Sequence, residues 1–147
     1  MQDLKLATGM NIILKEVNKD IIKTNMDIYY SQDLKLDENY ADNLFQQILK
    51  TAISNNASDI HIEPFKEYFI IRNRIDGNLI EVLKKSIKLY SSLITVIKLK
   101  SNIDITEKRL PQDGRVDLEL NNIIIDIRVA TIPTLYGEKV VLRILNR

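Results

Sequence analysis

Apolar and polar residues recur with two different periods along the chain, and each change of period predicts a new element. Residues 40–56 carry apolar side chains at helical spacing, and Asn55–Asn56 indicates where that helix ends. The next stretch, Asp59–Glu63, alternates with period two and stops at a proline, as expected for a strand with one buried face. Residues 86–101 return to helical spacing and predict a second helix.

The second predicted helix is amphipathic. Its apolar stripe is expected to face the core, whereas Lys88, Lys98 and Lys100 are expected to remain in solvent. The predicted stripe consists of Ile87, Tyr90, Leu93, Ile94 and Ile97.

Short apolar runs on either side of that helix predict five more strands. Each predicted helix is therefore followed by three strands, and the turns within each group are too short for parallel crossovers. This order predicts an α+β fold: a mostly antiparallel six-stranded sheet with two main helices packed on one face.

The N-terminal segment has a different organisation. Met10–Val17 reads as a short strand, and the residues after it read as a helix, but one strand and one helix are too little to bury a core. We therefore predict that residues 1–30 are the C-terminal remnant of an upstream domain. Residues 31–39, rich in charge and turn formers, are predicted to be a linker to the main domain, residues 40–147.

The predicted hairpin around Asn121–Asn122 has a charge pattern that needs an explanation. A two-residue Asn-Asn loop fits a type I′ turn, because Asn tolerates positive φ. The resulting register places Arg115 opposite Arg128 and Asp117 opposite Asp126, and such like-charge pairs cost stability. Either the four side chains neutralise one another in solvent, or the paired guanidiniums form a clamp for a phosphate. Spacing alone leaves both interpretations open and favours the first.

The overall composition excludes several classes of function. Twenty-one cations balance 20 anions, which argues against non-specific nucleic-acid binding and against a polybasic membrane anchor. The absence of cysteine excludes disulfides and thiolate metal sites. His61 shares a strand face with Asp59 and Glu63, but a fourth ligand is missing, so no metal site is predicted. No apolar run approaches the length of a membrane span, so we expect a soluble intracellular domain.

The glycines give the most informative negative result. The chain has four, and none begins the G-x-x-x-x-G-K-[ST] pattern that cradles a triphosphate. We therefore predict no catalytic residues within this fragment and no hydrolysis of ATP by the fragment alone.

Four stretches of the sequence form a distinctive set: "ASDIHIEPF" (Ala57–Phe65), "RIDG" (Arg74–Gly77), "DITEKRLPQDGR" (Asp104–Arg115) and "DIRVATIPTLYGEKVVLRIL" (Asp126–Leu145). Together they resemble a known family, the hexameric ATPases that drive type IV pilus assembly and type II secretion. They occur in the family's order and spacing and cover residues from about 40 to 147. Asn73 departs from the pattern, because a bulky residue is common at that position.

The resemblance implies a fold and a set of functional residues. Residues 40–147 would be the family's second N-terminal domain, with a PAS-like sheet, and a RecA-like domain carrying the P-loop would lie downstream. In the family's hexamer, arginines of the sheet domain reach nucleotide held by a RecA-like domain. Arg115 and Arg128 match those positions, Arg109 is a weaker third candidate, and Arg143 is expected to be structural.

The resemblance also implies cofactors, partners and location. ATP and Mg²⁺ would act in the full-length protein, with neither expected on this fragment. The implied partners are the RecA-like domain of the same protein, the other subunits of a homohexamer, and inner-membrane platform or cytoplasmic components of the machine. The location would be cytoplasmic, peripheral at the cytoplasmic face of the inner membrane, without membrane insertion. The alternative is a stand-alone PAS-like module that binds a protein or ligand without ATP.

Overall fold

The computed structural model describes residues 24–145, with side chains from residue 39 onward. The described residues form two helices and six strands, and a 3₁₀ turn at Ile87–Leu89 leads into the second helix. In chain order the elements are α1 (Thr24–Ser54), β1 (Asp59–Pro64), β2 (Tyr68–Ile75), β3 (Asn78–Ser86), α2 (Tyr90–Lys100), β4 (Gln112–Leu120), β5 (Ile123–Thr134) and β6 (Gly137–Leu145).

The six strands form one sheet in the order β3-β2-β1-β6-β5-β4. Every neighbouring pair is antiparallel, which confirms the α+β prediction. Hairpins build each half, and the two halves meet where β1, the first strand, pairs with β6, the last. The sheet order therefore joins strands that are far apart in sequence.

One face of the sheet is covered by the two helices and contains the core. Ile60 and Ile62 of β1 lie opposite Leu142 and Val140 of β6, and all four are buried in the same cluster as the helix residues. The helices contribute Leu44, Phe45, Ile48, Leu49 and Ala52 from α1, and Tyr90, Leu93, Ile94 and Ile97 from α2. The apolar stripes predicted for both helices are confirmed. We call this the covered face and the opposite one the open face.

The hairpin geometry confirms the predicted register. Asn121 and Asn122 have φ values of 54° and 64°, as a type I′ turn requires. Arg115 pairs with Arg128 across β4 and β5, and Asp117 pairs with Asp126 two residues further toward the turn. The turn thus places the four charged side chains of these pairs on the open face, and Val116, Leu118, Ile125 and Ile127 on the covered face.

The predicted N-terminal boundary falls within a helix. Residues 31–39, expected to be a linker, lie within α1. They include neither proline nor glycine, so nothing in this stretch forces the helix to end. The chain divides into two compact units, Met1–Asp37 and Glu38–Arg147. The predicted strand at Met10–Val17 lies outside the described residues, and the assignment of residues 1–30 to an upstream domain stays a prediction.

The expectation that Lys98 is exposed is wrong. Its side chain is buried, and its ammonium lies 2.6 Å from a carboxylate oxygen of Glu138 on β6. The sequence pattern shows only that residue 98 is polar, which predicts an exposed side chain. Lys98 can face the core because Glu138, a buried carboxylate on a distant strand, compensates its charge. None of the helices within the described residues has both the length and the apolar character needed to cross a bilayer.

Candidate functional site

Four arginines and one aspartate form a continuous line across the open face of the sheet. The strand register places Arg74, Asp59, Arg143, Arg128 and Arg115 as successive direct neighbours on β2, β1, β6, β5 and β4. Adjacent strands are about 4.7–4.9 Å apart, so these side chains leave the sheet close together. We call this set the arginine row.

Asp126 holds the two arginines that the sequence singled out. Its carboxylate lies 3.2 Å from Nε of Arg115 and 3.4 Å from Nη2 of Arg128. Asp117 has a smaller part, since it is half-exposed and lies 3.7 Å from Nε of Arg115. The quartet expected from the hairpin is therefore unequal: a buried Asp126 binds both guanidiniums, and we call these three residues the Asp126 cluster.

A second carboxylate is arranged in the same way. Asp59 is buried, accepts a hydrogen bond of 2.9 Å from Nε of Arg143 and lies 3.6 Å from Nε of Arg74. We call these three residues the Asp59 cluster. Burial acts to raise the pKa of Asp59, but hydrogen bonds from Arg143 and Ser58 outweigh it, and the pKa lies below its ordinary value.

The guanidiniums remain accessible while their carboxylates are buried. The side chains of Arg115, Arg128 and Arg143 are 58%, 55% and 68% exposed. Counting Asp117, four guanidiniums in these clusters face three carboxylates. The open face thus presents fixed donors with surplus positive charge, an arrangement suited to binding an anion.

The sequence predicted only part of this row. It identified Arg115 and Arg128 and their mutual placement, but it assigned no role to Arg74 and treated Arg143 as structural. Both of these belong to the Asp59 cluster. Arg143 lies directly opposite Arg128, and its side chain is the most exposed of the four arginines in the row. The alternation along β6 places Arg143 on the face away from the core, but its position beside Arg128 depends on the order of the strands in the sheet.

The start of β4 fixes where Arg115 leaves the sheet. Its backbone N–H donates to the carbonyl of Ser101 at 3.2 Å. A Cβ on Gly114 would clash with that same carbonyl and would lie 2.7 Å from Cγ1 of Ile103. Glycine is therefore required for the close approach that anchors Arg115 to the segment after α2.

Arg109 lies in the segment between α2 and β4. The carboxylate of Glu107 accepts hydrogen bonds from the backbone N–H groups of Arg109 and Leu110. Gln112 donates to the carbonyls of Asp104 and Glu107, so this segment is well ordered by its own side chains. Among the described residues, the Arg109 guanidinium makes no hydrogen bond or ion pair with the arginine row. The structure therefore brings Arg115 and Arg128 together but not Arg109.

On β1, the side chains of Asp59, His61 and Glu63 are not arranged as a metal site. Asp59 binds arginines, and Glu63 pairs with Arg72 at 3.2 Å. Burial lowers the pKa of His61, and nearby Lys139 and Arg74 act in the same direction. Within residues 39–145, no group of three potential ligands is placed to hold a metal ion.

A buried charge pair on the covered face was missed by the sequence. Lys98 donates to the carbonyl of Glu107 at 2.7 Å as well as pairing with Glu138. The hydroxyl of Tyr90 donates to the backbone carbonyl of Glu138, and burial, with Glu138 and Glu63 nearby, raises the pKa of Tyr90. A cavity of about 280 Å³ lies beside this pair. The pair fastens α2 to β6 and to the segment that carries Arg109.

Comparison with known proteins identifies a family for the sequence of this chain. Residues 35–147 match the family model described as "Type II/IV secretion system protein". The type II secretion system protein E of Pectobacterium carotovorum subsp. carotovorum is 50% identical over 104 residues. The type II secretion system ATPase E of Vibrio cholerae serotype O1 is 47% identical over 104 residues. Each alignment covers 71% of this chain but 21% of the relative.

A solved structure is also similar to this chain. It is the ATPase DotB of Legionella pneumophila, at 18% identity and a TM-score of 0.47, covering 70% of this chain and 28% of that one. The chain spans about a fifth of the length of the curated relatives named above. The family match covers most of the chain, so the chain belongs to the type II/IV secretion system protein family.

Proposed function

We propose that this chain is an N-terminal, non-catalytic part of a hexameric ATPase that powers type II protein secretion or type IV pilus assembly. The observation that carries the proposal is an exposed arginine row in a chain without a phosphate-binding loop. It is supported by relatives that are about 50% identical in sequence and are named as type II secretion system proteins. The sheet domain, PAS-like in this proposal, supplies charge, while a RecA-like domain binds ATP and Mg²⁺.

Arg115 and Arg128 contact the phosphates of that ATP in this proposal. Guanidiniums aimed at a transferring phosphoryl group stabilise the charge that develops on it, as arginine fingers do in other NTPases. Asp126 keeps the two side chains extended until a more highly charged anion competes for them. Because both arginines are more than half exposed, a phosphate can reach them without unfolding the hairpin.

The assembly follows from the same proposal. A homohexamer lets the sheet domain of one subunit face nucleotide held by a RecA-like domain, and domain movement during the ATP cycle changes that contact. The machine would be cytoplasmic and peripheral at the inner membrane, where platform and cytoplasmic components receive the motion. Arg109, which does not contact the row, is proposed only as an outer contact on the same anion.

ATP hydrolysis by the full-length protein tests the role of the two arginines. Arg115→Ala and Arg128→Ala are each expected to lower kcat by about 10²-fold, as loss of one donor to a transition-state oxyanion does. Hexamer formation, measured by light scattering, should be unchanged. Arg72→Ala is the matched control, because Arg72 lies on the same face but pairs with Glu63 outside the row.

Mixed hexamers test whether the arginines act across subunits. Subunits with Arg115→Ala, combined with subunits whose phosphate-binding loop is inactivated, should regain part of the turnover that either lacks alone. Unchanged turnover in both arginine variants would contradict the proposal. So would micromolar binding of ATP and Mg²⁺ to the isolated chain in calorimetry, because that would mean a complete nucleotide site within it.

A further inference from the structure

The arginine row contains two clusters built to one plan. In each, a buried aspartate binds two guanidiniums. The arginines of Asp59 come from the strands on either side of it, whereas Asp126 binds Arg115 from the neighbouring strand and Arg128 from its own strand. The proposed function uses only the Asp126 cluster. The Asp59 cluster is joined to it without a gap, since Arg143 lies directly opposite Arg128.

The way each aspartate holds its arginine leaves the far edge of the guanidinium free. Asp59 binds Arg143 through Nε, and Asp126 binds Arg115 through Nε as well. Within the described residues, the shortest contacts of Arg143 and Arg115 with these carboxylates run through Nε, on the inner side of the guanidinium. A guanidinium fixed on its Nε side presents its terminal NH₂ groups to a phosphate with little further loss of side-chain entropy.

Like charges placed side by side indicate that this arrangement has a use. Arg143, Arg128 and Arg115 are consecutive direct neighbours on three strands, which costs stability at each pair. Over two strand spacings, about 10 Å, the row offers donors to more than one phosphate of the same chain. A ligand with adjacent phosphates therefore matches the row better than a single phosphate does.

We propose that Asp59 is a positioning residue that holds Arg143 beside Arg128, so that three arginines contact the polyphosphate chain of the nucleotide. Arg143 is the third phosphate-contacting side chain, and Arg74 shares the charge of Asp59 at the far end. This inference rests on the proposed function, because it adds a residue to the same site.

Steady-state ATP hydrolysis by the full-length hexamer tests the inference. Arg143→Gln is expected to lower kcat about tenfold, and Asp59→Asn to lower it by a similar or smaller factor, because Asp59 acts through Arg143. The double variant should be no slower than Arg143→Gln alone, since both changes remove one interaction. Arg72→Gln, on the same face but paired with Glu63, should leave kcat unchanged.

A second measurement separates positioning from folding. In the purified chain, the Nε–H resonance of Arg143 should move on addition of inorganic triphosphate, and that of Arg72 should not. The Asp59→Asn variant should keep the wild-type melting temperature to within a few degrees while this response weakens. If that variant unfolds, Arg143→Gln together with the triphosphate titration decides the matter.

The outcomes distinguish this inference from the proposed function. If Arg115→Ala lowers turnover but Arg143→Gln and Asp59→Asn do not, the third contact is overturned and the two-arginine role stands. If the Arg115, Arg128 and Arg143 variants all hydrolyse ATP normally, both ideas fail. Additive losses in the double variant would show that Asp59 does not act through Arg143.

Discussion

The two faces of the sheet treat charge in opposite ways. On the covered face, Lys98 and Glu138 are both buried and pair at 2.6 Å, with the ammonium also bound to a backbone carbonyl. On the open face, buried aspartates hold arginines whose outer nitrogens remain in solvent. The Lys98–Glu138 pair is compensated within the fold, whereas the open-face arginines retain N–H donors that a ligand can bind.

This difference separates structural charge from charge available for function. In a buried ion pair each charge compensates the other, so removing one partner lowers the stability of the fold. An exposed pair contributes little to stability, because water and salt already satisfy and screen it. The comparison predicts that covered-face variants change folding and open-face variants change anion binding.

The largest effect is expected at Lys98. Lys98→Met leaves the Glu138 carboxylate buried without its cation, and we expect a loss of about 3–5 kcal/mol in the free energy of unfolding. Urea denaturation of the chain measures it. The double variant Lys98→Met, Glu138→Leu should recover most of the loss, because two apolar residues need no compensation. A double variant as unstable as the single one would mean that the pair is not the cause.

A smaller effect of opposite sign is expected at Asn73. This side chain is buried on the covered face, and neither its oxygen nor its nitrogen has a hydrogen-bond partner among the described residues. Asn73→Leu has a similar volume and is expected to raise the free energy of unfolding by about 1–3 kcal/mol. Thermal denaturation provides the measurement. A lower melting temperature would show that Asn73 is satisfied in solution, for example by an internal water.

A still smaller effect is expected on the open face. Arg128→Ala removes a half-exposed guanidinium and leaves Arg115 on Asp126, so the free energy of unfolding should change by less than about 1 kcal/mol. The same urea experiment applies. A loss as large as that of Lys98→Met would erase the distinction between the two faces.

The pH dependence of stability sharpens the comparison further. The pKa of Asp59 is lowered in the folded chain from 3.8, so its stabilising contribution is complete above that value. The contribution is lost as the pH falls from 3.8 through the folded pKa, where the carboxylate takes up a proton. The melting temperatures of wild type and Asp59→Asn should therefore differ by a few degrees at neutral pH and converge in acid. A constant difference at every pH would contradict this.

Local sequence was sufficient for the hairpin and for half of the site. An Asn-Asn turn and strict alternation specify the β4–β5 register, which places Arg115 opposite Arg128 without knowledge of the rest of the fold. The helix stripes and the antiparallel arrangement follow from the same short-range periodicities. These features depend on residues that are close together in sequence.

The missed contacts of the arginine row and of the buried charge pair join elements that are far apart in sequence. Asp59 binds Arg143 across a separation of 84 residues, and Lys98 binds Glu138 between α2 and β6. Local hydropathy marks each of these side chains as polar but cannot identify its partner. The helical residues 31–39 are a different case: charge and turn formers suggested a linker, but neither disrupts a helix in the way that proline does.

The pairing of β1 with β6 has a consequence for the order of events during folding. β1 acquires its second neighbour only after the last strand has been synthesised, 84 residues after Asp59. Closing so long a loop is a slow, late step compared with forming the local hairpins. Because Arg143 arrives on that strand, the row becomes continuous only when the sheet closes. A nascent or truncated chain therefore cannot present the full line of arginines to a nucleotide.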